Sequence, residues 1–305
     1  MTTPSPPGDL SSYLDLQREH VEKGIERAVT HWERRLAPDV AAAIRHGVTS
    51  GGKRLRPILC VAAFEACGGE VDARVYDLGA SLEMIHAYSL MHDDLPCMDD
   101  GALRRGRATT HVVYGEDVTV RAGAAMIPAA ALQALRASRA LGCGEERARR
   151  VAATLMQAAG AGGMVGGQWL DLLGEGRALE ADELDDLHRR KTGALLTASL
   201  VIGGLSAGAS APVEQAVREY GRAIGLAFQI ADDILDIEGE EALRGKRGGG
   251  DATRGKATYP ALVGLDKAKG EAQRLVQEAL DAIASFSRQA DPLREIARFI
   301  VSRKA

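Results

Sequence analysis

Two pairs of adjacent aspartates each stand where a strongly apolar stretch ends. Tyr88-Ser-Leu-Met-His-Asp93-Asp94 is followed by Asp99, and Ala227-Phe-Gln-Ile-Ala-Asp232-Asp233 by Asp236. In the second run Asp232 and Asp236 are spaced i, i+4 and fall on one helix face. In the first, Pro96 stops the helix after Asp93, so Asp99 must return over a turn. Acids at helix ends are usually just solvated. Here both runs close helices apolar enough to be buried, and carboxylates at a helix C-terminus oppose its dipole. A cation should offset them. Hard cations such as Mg²⁺ take oxygen ligands, keep several waters, and use a few carboxylates together with substrate phosphates. The pattern suggests a Mg²⁺-bridged phosphate site.

The basic residues agree with this. Gly51-Gly-Lys53-Arg54-Leu-Arg56-Pro57 sets three cations beside a glycine pair and a helix start, where backbone N–H groups also attract anions. Arg104-Arg105-Gly106-Arg107 follows the first acidic run, and Lys191-Thr192-Gly193, Lys246-Arg247 and Arg254-Gly-Lys256 come later. Separate basic groups suit two diphosphates, one reached through metal and one by direct contact. No Walker A loop and no G-x-G-x-x-G is present, which counts against ATP and NAD. Gly204-Leu-Ser206-Ala-Gly208 matches G-x-S-x-G, but no histidine follows His188, so a hydrolase triad fails.

The rest of the chain must position these groups, and it reads as helices. Of 305 residues, 46% are hydrophobic and 26% charged, the balance of a globular chain. Only 4% are aromatic while glycine alone counts 35, which disfavours a sandwich or barrel. A formal net charge of −4 gives no overall basic field for nucleic acid or anionic lipid. Apolar periodicity predicts helices near 11–36, 57–66, 72–91, 117–141, 145–160, 182–208, 213–237, 260–284 and 293–302. Pro57, Asp72 and Asp182 stand at expected helix starts, and Cys67-Gly68-Gly69 at an end. No Pro/Ser-rich linker divides the chain. Residues 11–305 therefore read as a single all-α domain, after a short disordered tail over 1–10 that lacks the features of a secretory signal. Cys60, Cys67, Cys97 and Cys143 form no C-x-x-C pair, so reduced thiols and a cytoplasmic setting are expected. The longest uncharged stretch, 194–213, could span a bilayer by length, but its Ser, Gly and Pro content favours a buried helix. No transmembrane segment is expected.

Several motifs carry a resemblance: Gly51-Gly-Lys-Arg-Leu-Arg-Pro57, His86 through Asp99, Leu103-Arg-Arg-Gly106, Gly167-Gln-Trp-Leu-Asp171, Lys191-Thr-Gly193, Phe228 through Asp236, and Gly255-Lys-Ala-Thr-Tyr-Pro260. In order and spacing they resemble the trans-prenyltransferases, the short-chain isoprenyl diphosphate synthases, over nearly the whole chain. The resemblance implies a single-domain helical bundle around a deep central cavity, usually homodimeric. The implied reaction is head-to-tail condensation of isopentenyl diphosphate with an allylic diphosphate, using about three Mg²⁺ ions. It implies metal binding by Asp93 and Asp99 on one side and by Asp232 on the other, with Asp94, Asp233 and Asp236 acting through water or in support. Arg104, Lys191, Lys246 and Lys256 would hold the allylic diphosphate, and Lys53, Arg56, His86 and Arg105 isopentenyl diphosphate. Lys191, Thr192 and Gln229 would provide oriented dipoles at the carbocation left when the allylic C–O bond ionises. The released diphosphate is expected to take the proton, so no side-chain base is sought.

Tyr88 bears on product length. It lies about one and a half turns deeper in the helix than Asp93, where a phenol ring would block a chain growing down that helix; Ser89 is small and blocks nothing. An aromatic there, with the two-residue insertion in Asp93-Asp-Leu-Pro-Cys-Met-Asp99, resembles bacterial farnesyl synthases and implies farnesyl diphosphate, made from dimethylallyl or geranyl diphosphate. Tyr88 as ordinary packing, with geranylgeranyl diphosphate as product, is the alternative. His92 and Cys97 read as structural. Ala124, in Arg121-Ala-Gly-Ala-Ala-Met126, stands where bacterial relatives commonly carry an acid, and Pro128 beyond it would kink the helix. Rivals from other classes are a non-catalytic synthase subunit and a terpene cyclase. Intact acidic runs oppose the first, and the cations for a second diphosphate oppose the other.

Overall fold

The computed structural model describes residues 10–174, 177, 179–244 and 258–303. They are helical almost throughout, as the composition and periodicity predict. The helices group into two compact units. The first holds the chain up to Met156 with Ile202–Ala209, the second Gln157–Val201 and the chain from Ser210 onward.

In the first unit, α1 (Leu10–Glu33), α2 (Pro38–Val48) and α3 (Leu55–Ala66) precede the central helix α4 (Ala73–Asp93). Asp72 starts α4 as predicted, its carboxylate accepting from Arg74 N at 2.8 Å. Buried residues occur on every side of α4 from Val75 to Met91. A helix apolar all round has to be enclosed, and α1, α2, α3 and α6 (Glu116–Ala140) pack on it, with α5 (Thr110–Tyr114) leading into α6. α7 (Glu145–Ala159) follows. α6 carries Pro128 inside it, its helical hydrogen-bonding continuing to Ala140. Among the described residues it is the one helix long and apolar enough to cross a membrane by length and composition. One face, with Ala122, Met126 and Ala130, is buried; the other exposes Val120 and Leu132.

Two strands of two residues, β1 (Leu103–Arg104) and β2 (Arg107–Ala108), pair antiparallel between α4 and α5. Arg105 and Gly106 join them with φ of 53° and 75°, the left-handed pair of a type I′ hairpin turn. Strands of two residues cannot display an alternating period, so periodicity does not reveal this hairpin.

In the second unit, α8 (Met164–Gly174) and α9 (Ala181–His188) lead through one π turn, Arg189–Gly193, into α10 (Ala194–Ala207). The predicted helix over 182–208 is thus interrupted by a wider turn. α9 begins before Asp182: Glu180 is its capping residue, and Glu183 Oε2 accepts from Glu180 N at 3.0 Å. Asp182 instead sits in the first turn, where its charge suits the helix dipole. α10, whose residues from Ile202 onward belong to the first unit, stops at Ala207 and buries Leu195, Leu200 and Ile202, so the apolar stretch from 194 opens with a core helix. α11 (Ala211–Arg244) is the spine of this unit. α9, the π turn, α12 (Tyr259–Val263), α13 (Leu265–Ala282) and α14 (Asp291–Ser302) pack on it. The fully buried Tyr220 donates its hydroxyl to Leu293 O at 2.7 Å, joining α11 to α14.

Candidate functional site

Each unit carries a group of the predicted side chains. In the first, α4 ends at Asp93 and the chain doubles back so that Asp99 N donates to Asp93 O at 2.8 Å. The two aspartates therefore share one tight turn, as the proline predicts. Asp99 is exposed and Asp93 half-buried, whereas Asp94 points inward and is buried. Arg104 grips the Asp94 carboxylate, its Nε donating to both oxygens at 2.9 Å and its Nη2 lying 2.7 Å from Oδ1. Arg105, the next residue, turns elsewhere and donates from Nη1 to Gly51 O. Gly51 and Gly52 have φ of 78° and 127°, and a Cβ on Gly52 would overlap the Arg105 guanidinium. The glycine pair is required by this approach.

Arg56 and His86 lie beside Arg105. Burial lowers the pKa of both Arg56 and Arg105, and Arg56 Nε is buried with no hydrogen-bond partner. His86 is half-buried and pushed well below the ordinary histidine range, by burial first and then by Arg56, Arg105, Arg54 and Arg104. It is neutral at pH 7 and offers a hydrogen bond rather than a charge. Lys53 is exposed. Arg54, to which no substrate role is assigned, is 3% exposed and turned into the protein. A buried guanidinium N–H without a protein partner, among crowded cations, is a donor arrangement suited to an anion.

Tyr88 is 5% exposed, one and a half turns back from Asp93, and its ring meets His92 edge-on at 5.8 Å. Burial, with Asp93 adding, pushes its phenol up to about 12. Ser89 Oγ donates to His86 O at 2.9 Å. His92 Nε2 lies 3.3 Å from Val120 O, and the ring fills the space where Gly123 lacks a side chain, consistent with a packing role. Cys97 is an exposed free thiol, and Ala124 is exposed on α6.

In the second unit the π turn presents Lys191 and Thr192. Such turns recur at functional positions because they displace one residue from the helical register. Lys191 Nζ is ion-paired with Asp171 of α8. A Cβ on Gly167 would overlap the Lys191 backbone, so glycine lets α8 approach the turn. Thr192 Oγ1 donates to Gln229 Oε1 at 3.0 Å, and Gln229 Nε2 donates to Asp233 Oδ1 at 3.2 Å. Asp233 Oδ2 accepts from Tyr259 N at 2.9 Å, and His188 Nε2 lies 3.9 Å from the same oxygen. Asp233 is thus a buried tether, its carboxyl pushed up to about 6 chiefly by burial. Burial likewise pushes His188 down to about 4.

Asp232 faces outward by comparison, with 38% of its side chain exposed, and Arg303 Nη2 lies 2.9 Å from its Oδ1. That guanidinium stacks on Phe228 at 4.5 Å. Its Nη2 has no aligned hydrogen bond, so the contact with Asp232 is an ion pair. Asp236 is exposed one turn on. Lys246 and Lys256 lie outside the described residues.

Among the described residues no three Asp, Glu, His or Cys side chains converge into a closed metal cage. Asp93 with Asp99, and Asp232 with Asp236, are pairs of carboxylate oxygen donors held by the fold, Asp232 with Arg303 beside it. That donor set fits Mg²⁺, which needs only one or two carboxylates when water and phosphate complete its shell.

The structure adds partners that the sequence leaves without a role. Asp171 closes the Gly167–Asp171 motif, so it carried a signal. Arg303 and His188 carried none, because their importance comes from what lies across the packing.

The sequence pattern of one family, described as polyprenyl synthetase, matches residues 37–296. The chain is 40% identical to a dimethylallyltranstransferase of Fischerella ambigua, covering 97% of this chain and 84% of that protein. It is 39% identical to the chloroplastic geranylgeranyl pyrophosphate synthase of Catharanthus roseus, covering 97% and 82%. The crystal structure of an FPP/GFPP synthase from Zymomonas mobilis superposes with a TM-score of 0.79 at 35% identity, covering 94% of this chain and 98% of that one.

Proposed function

Because the chain belongs to the polyprenyl synthetase family and is a prenyltransferase, we propose that it makes farnesyl diphosphate from isopentenyl diphosphate and dimethylallyl or geranyl diphosphate. One observation carries the condensing reaction. Within the first unit, the neighbouring residues Arg104 and Arg105 turn to different partners, Arg104 to the aspartate turn and Arg105 to the glycine loop beside Arg56 and His86. Two anion sites on one framework suit two diphosphate substrates, whereas a cyclase needs one.

In this reading Arg104, Lys191, Lys246 and Lys256 hold the allylic diphosphate, and Asp93, Asp99 and Asp232 hold Mg²⁺. Metal held there would supply charge neutralisation for the leaving diphosphate. Thr192 and Gln229, locked to each other and to Asp233, present fixed dipoles to the allylic cation. Lys53, Arg56, Arg105 and neutral His86 hold isopentenyl diphosphate so that its double bond attacks the cation, and the departing diphosphate takes the proton. The buried ring of Tyr88 supports a stop at C15.

The same reading makes residues 11–305 one catalytic domain and the working enzyme a cytoplasmic homodimer. Val112, Val113, Val120 and Leu132 of α5 and α6 are about half exposed, an apolar face suited to a second copy. Four free thiols suit a reducing compartment.

The test is product identification. With Mg²⁺, isopentenyl diphosphate and geranyl diphosphate, phosphatase treatment should release a C15 alcohol. A C20 alcohol would retain condensation and overturn the Tyr88 stop; no elongation from any allylic starter would overturn the whole reading.

A further inference from the structure

We propose that Arg54 is a positioning residue whose planar fork, rather than its charge, sets the isopentenyl diphosphate site; the inference rests on the function proposed above. Arg54 stands between Lys53 and Arg56 in the sequence, yet its side chain takes the opposite course. Nε donates to Glu22 Oε1 at 2.7 Å and Nη1 to Glu83 Oε1 at 2.6 Å. Nη2 donates to Val48 O at 2.9 Å and to Glu22 Oε2 at 3.3 Å. With its donors so engaged and the residue 3% exposed, Arg54 cannot touch a substrate.

One guanidinium thereby ties α1, through Glu22, the end of α2, through Val48, and the central helix α4, through Glu83, to the loop that carries Lys53 and Arg56. The backbone bears the mark of this tie. Arg54 has φ of 51°, a left-handed conformation that is unfavourable for a non-glycine residue and persists only where surrounding contacts impose it. Because Arg54 is drawn inward, Lys53 is left exposed and Arg56 is left with its orphaned Nε. Glu83, 3% exposed, also offsets the burial of Arg56 and Arg105. The triad of Arg54, Glu22 and Glu83 therefore supports the cation cluster from behind, and no part of it needs to meet the anion.

Arg54→Lys separates fork from charge, since an ammonium cannot reach three acceptors in one plane. The variant should fold, judged by circular dichroism and a cooperative melt. Its KM for isopentenyl diphosphate should rise about ten- to a hundredfold, while its KM for geranyl diphosphate stays within about twofold and kcat changes little. Titration calorimetry with isopentenyl diphosphate alone should show the same loss without turnover. Wild-type constants in Arg54→Lys, or equal rises for both substrates, would overturn the proposal. If Arg54→Lys does not fold, Glu22→Gln, which leaves the Glu83 pair intact, should raise the isopentenyl diphosphate KM severalfold and selectively, and no change there would overturn it. A wild-type chain that elongates while both variants match it sinks this inference alone. A wild-type chain that neither elongates nor binds isopentenyl diphosphate sinks the functional reading with it.

Discussion

Arg104 holds the buried carboxylate of Asp94 with its Nε 2.9 Å from both oxygens. The second aspartate of the first acidic run is therefore committed to an arginine. Its hydrogen bond is the largest influence keeping Arg104 charged. Asp94→Asn should loosen Arg104, raising the KM for the allylic diphosphate about tenfold and lowering stability by about 2 kcal/mol. Steady-state kinetics with each substrate varied in turn, together with a urea melt, check this. An unchanged allylic KM would show that Arg104 does not meet that substrate.

Tyr88→Ala removes a ring that is 5% exposed and stacked edge-on against His92. The expected outcome is a longer product, C20 or beyond, at some cost in stability from the space vacated. Chromatography of the dephosphorylated products reads the shift directly. An unchanged profile would make Tyr88 plain packing.

Gly167→Ala places a methyl group against the backbone of Lys191. Overpacking of this kind costs about 1–3 kcal/mol, and relief requires α8 or the π turn to move. Because Lys191 is paired with Asp171 of the same helix, a lower melting temperature should come with a larger loss of kcat than Gly162→Ala, where a Cβ meets open space, produces in the same assay.

Histidine burial gives a pH dependence with a definite sign. His188 is pushed down to about 4 while the unfolded chain titrates near 6.5. Between those values the unfolded state binds the proton and the folded state does not. Stability is therefore intact above pH 6.5 and lost as pH falls toward 4, by an amount on the order of 3 kcal/mol. His86 acts in the same direction. Asp233, pushed up to about 6, takes up a proton in the folded state over the same range and opposes this loss, so the test is a difference: in urea unfolding from pH 7.5 to 4.5, His188→Gln should lose less stability on acidification than the wild type, and equal slopes would contradict the assignment.

What the sequence made legible was local. The aspartate runs, the return of Asp99 over Pro96, the Asp72 cap and the glycine pair before Lys53 all follow from residue types a few positions apart. What it hid depends on distant packing. Arg54 looks like its cationic neighbours until Glu22 and Glu83, 32 and 29 residues away, draw it inward. The π turn at Arg189–Gly193 shifts the helical register over five residues, too few for periodicity to register. Arg303 matters only because the last helix brings it to Phe228 and Asp232.

The most direct test of the central claim counts two products of one reaction. With Mg²⁺ and geranyl diphosphate, inorganic diphosphate release is measured with and without isopentenyl diphosphate, beside the prenyl diphosphate formed. A condensing synthase should release diphosphate only when both substrates are present, one for each new carbon–carbon bond. Release without isopentenyl diphosphate, accompanied by cyclic or hydrolysed terpenes, would contradict the account and mark a cyclase instead.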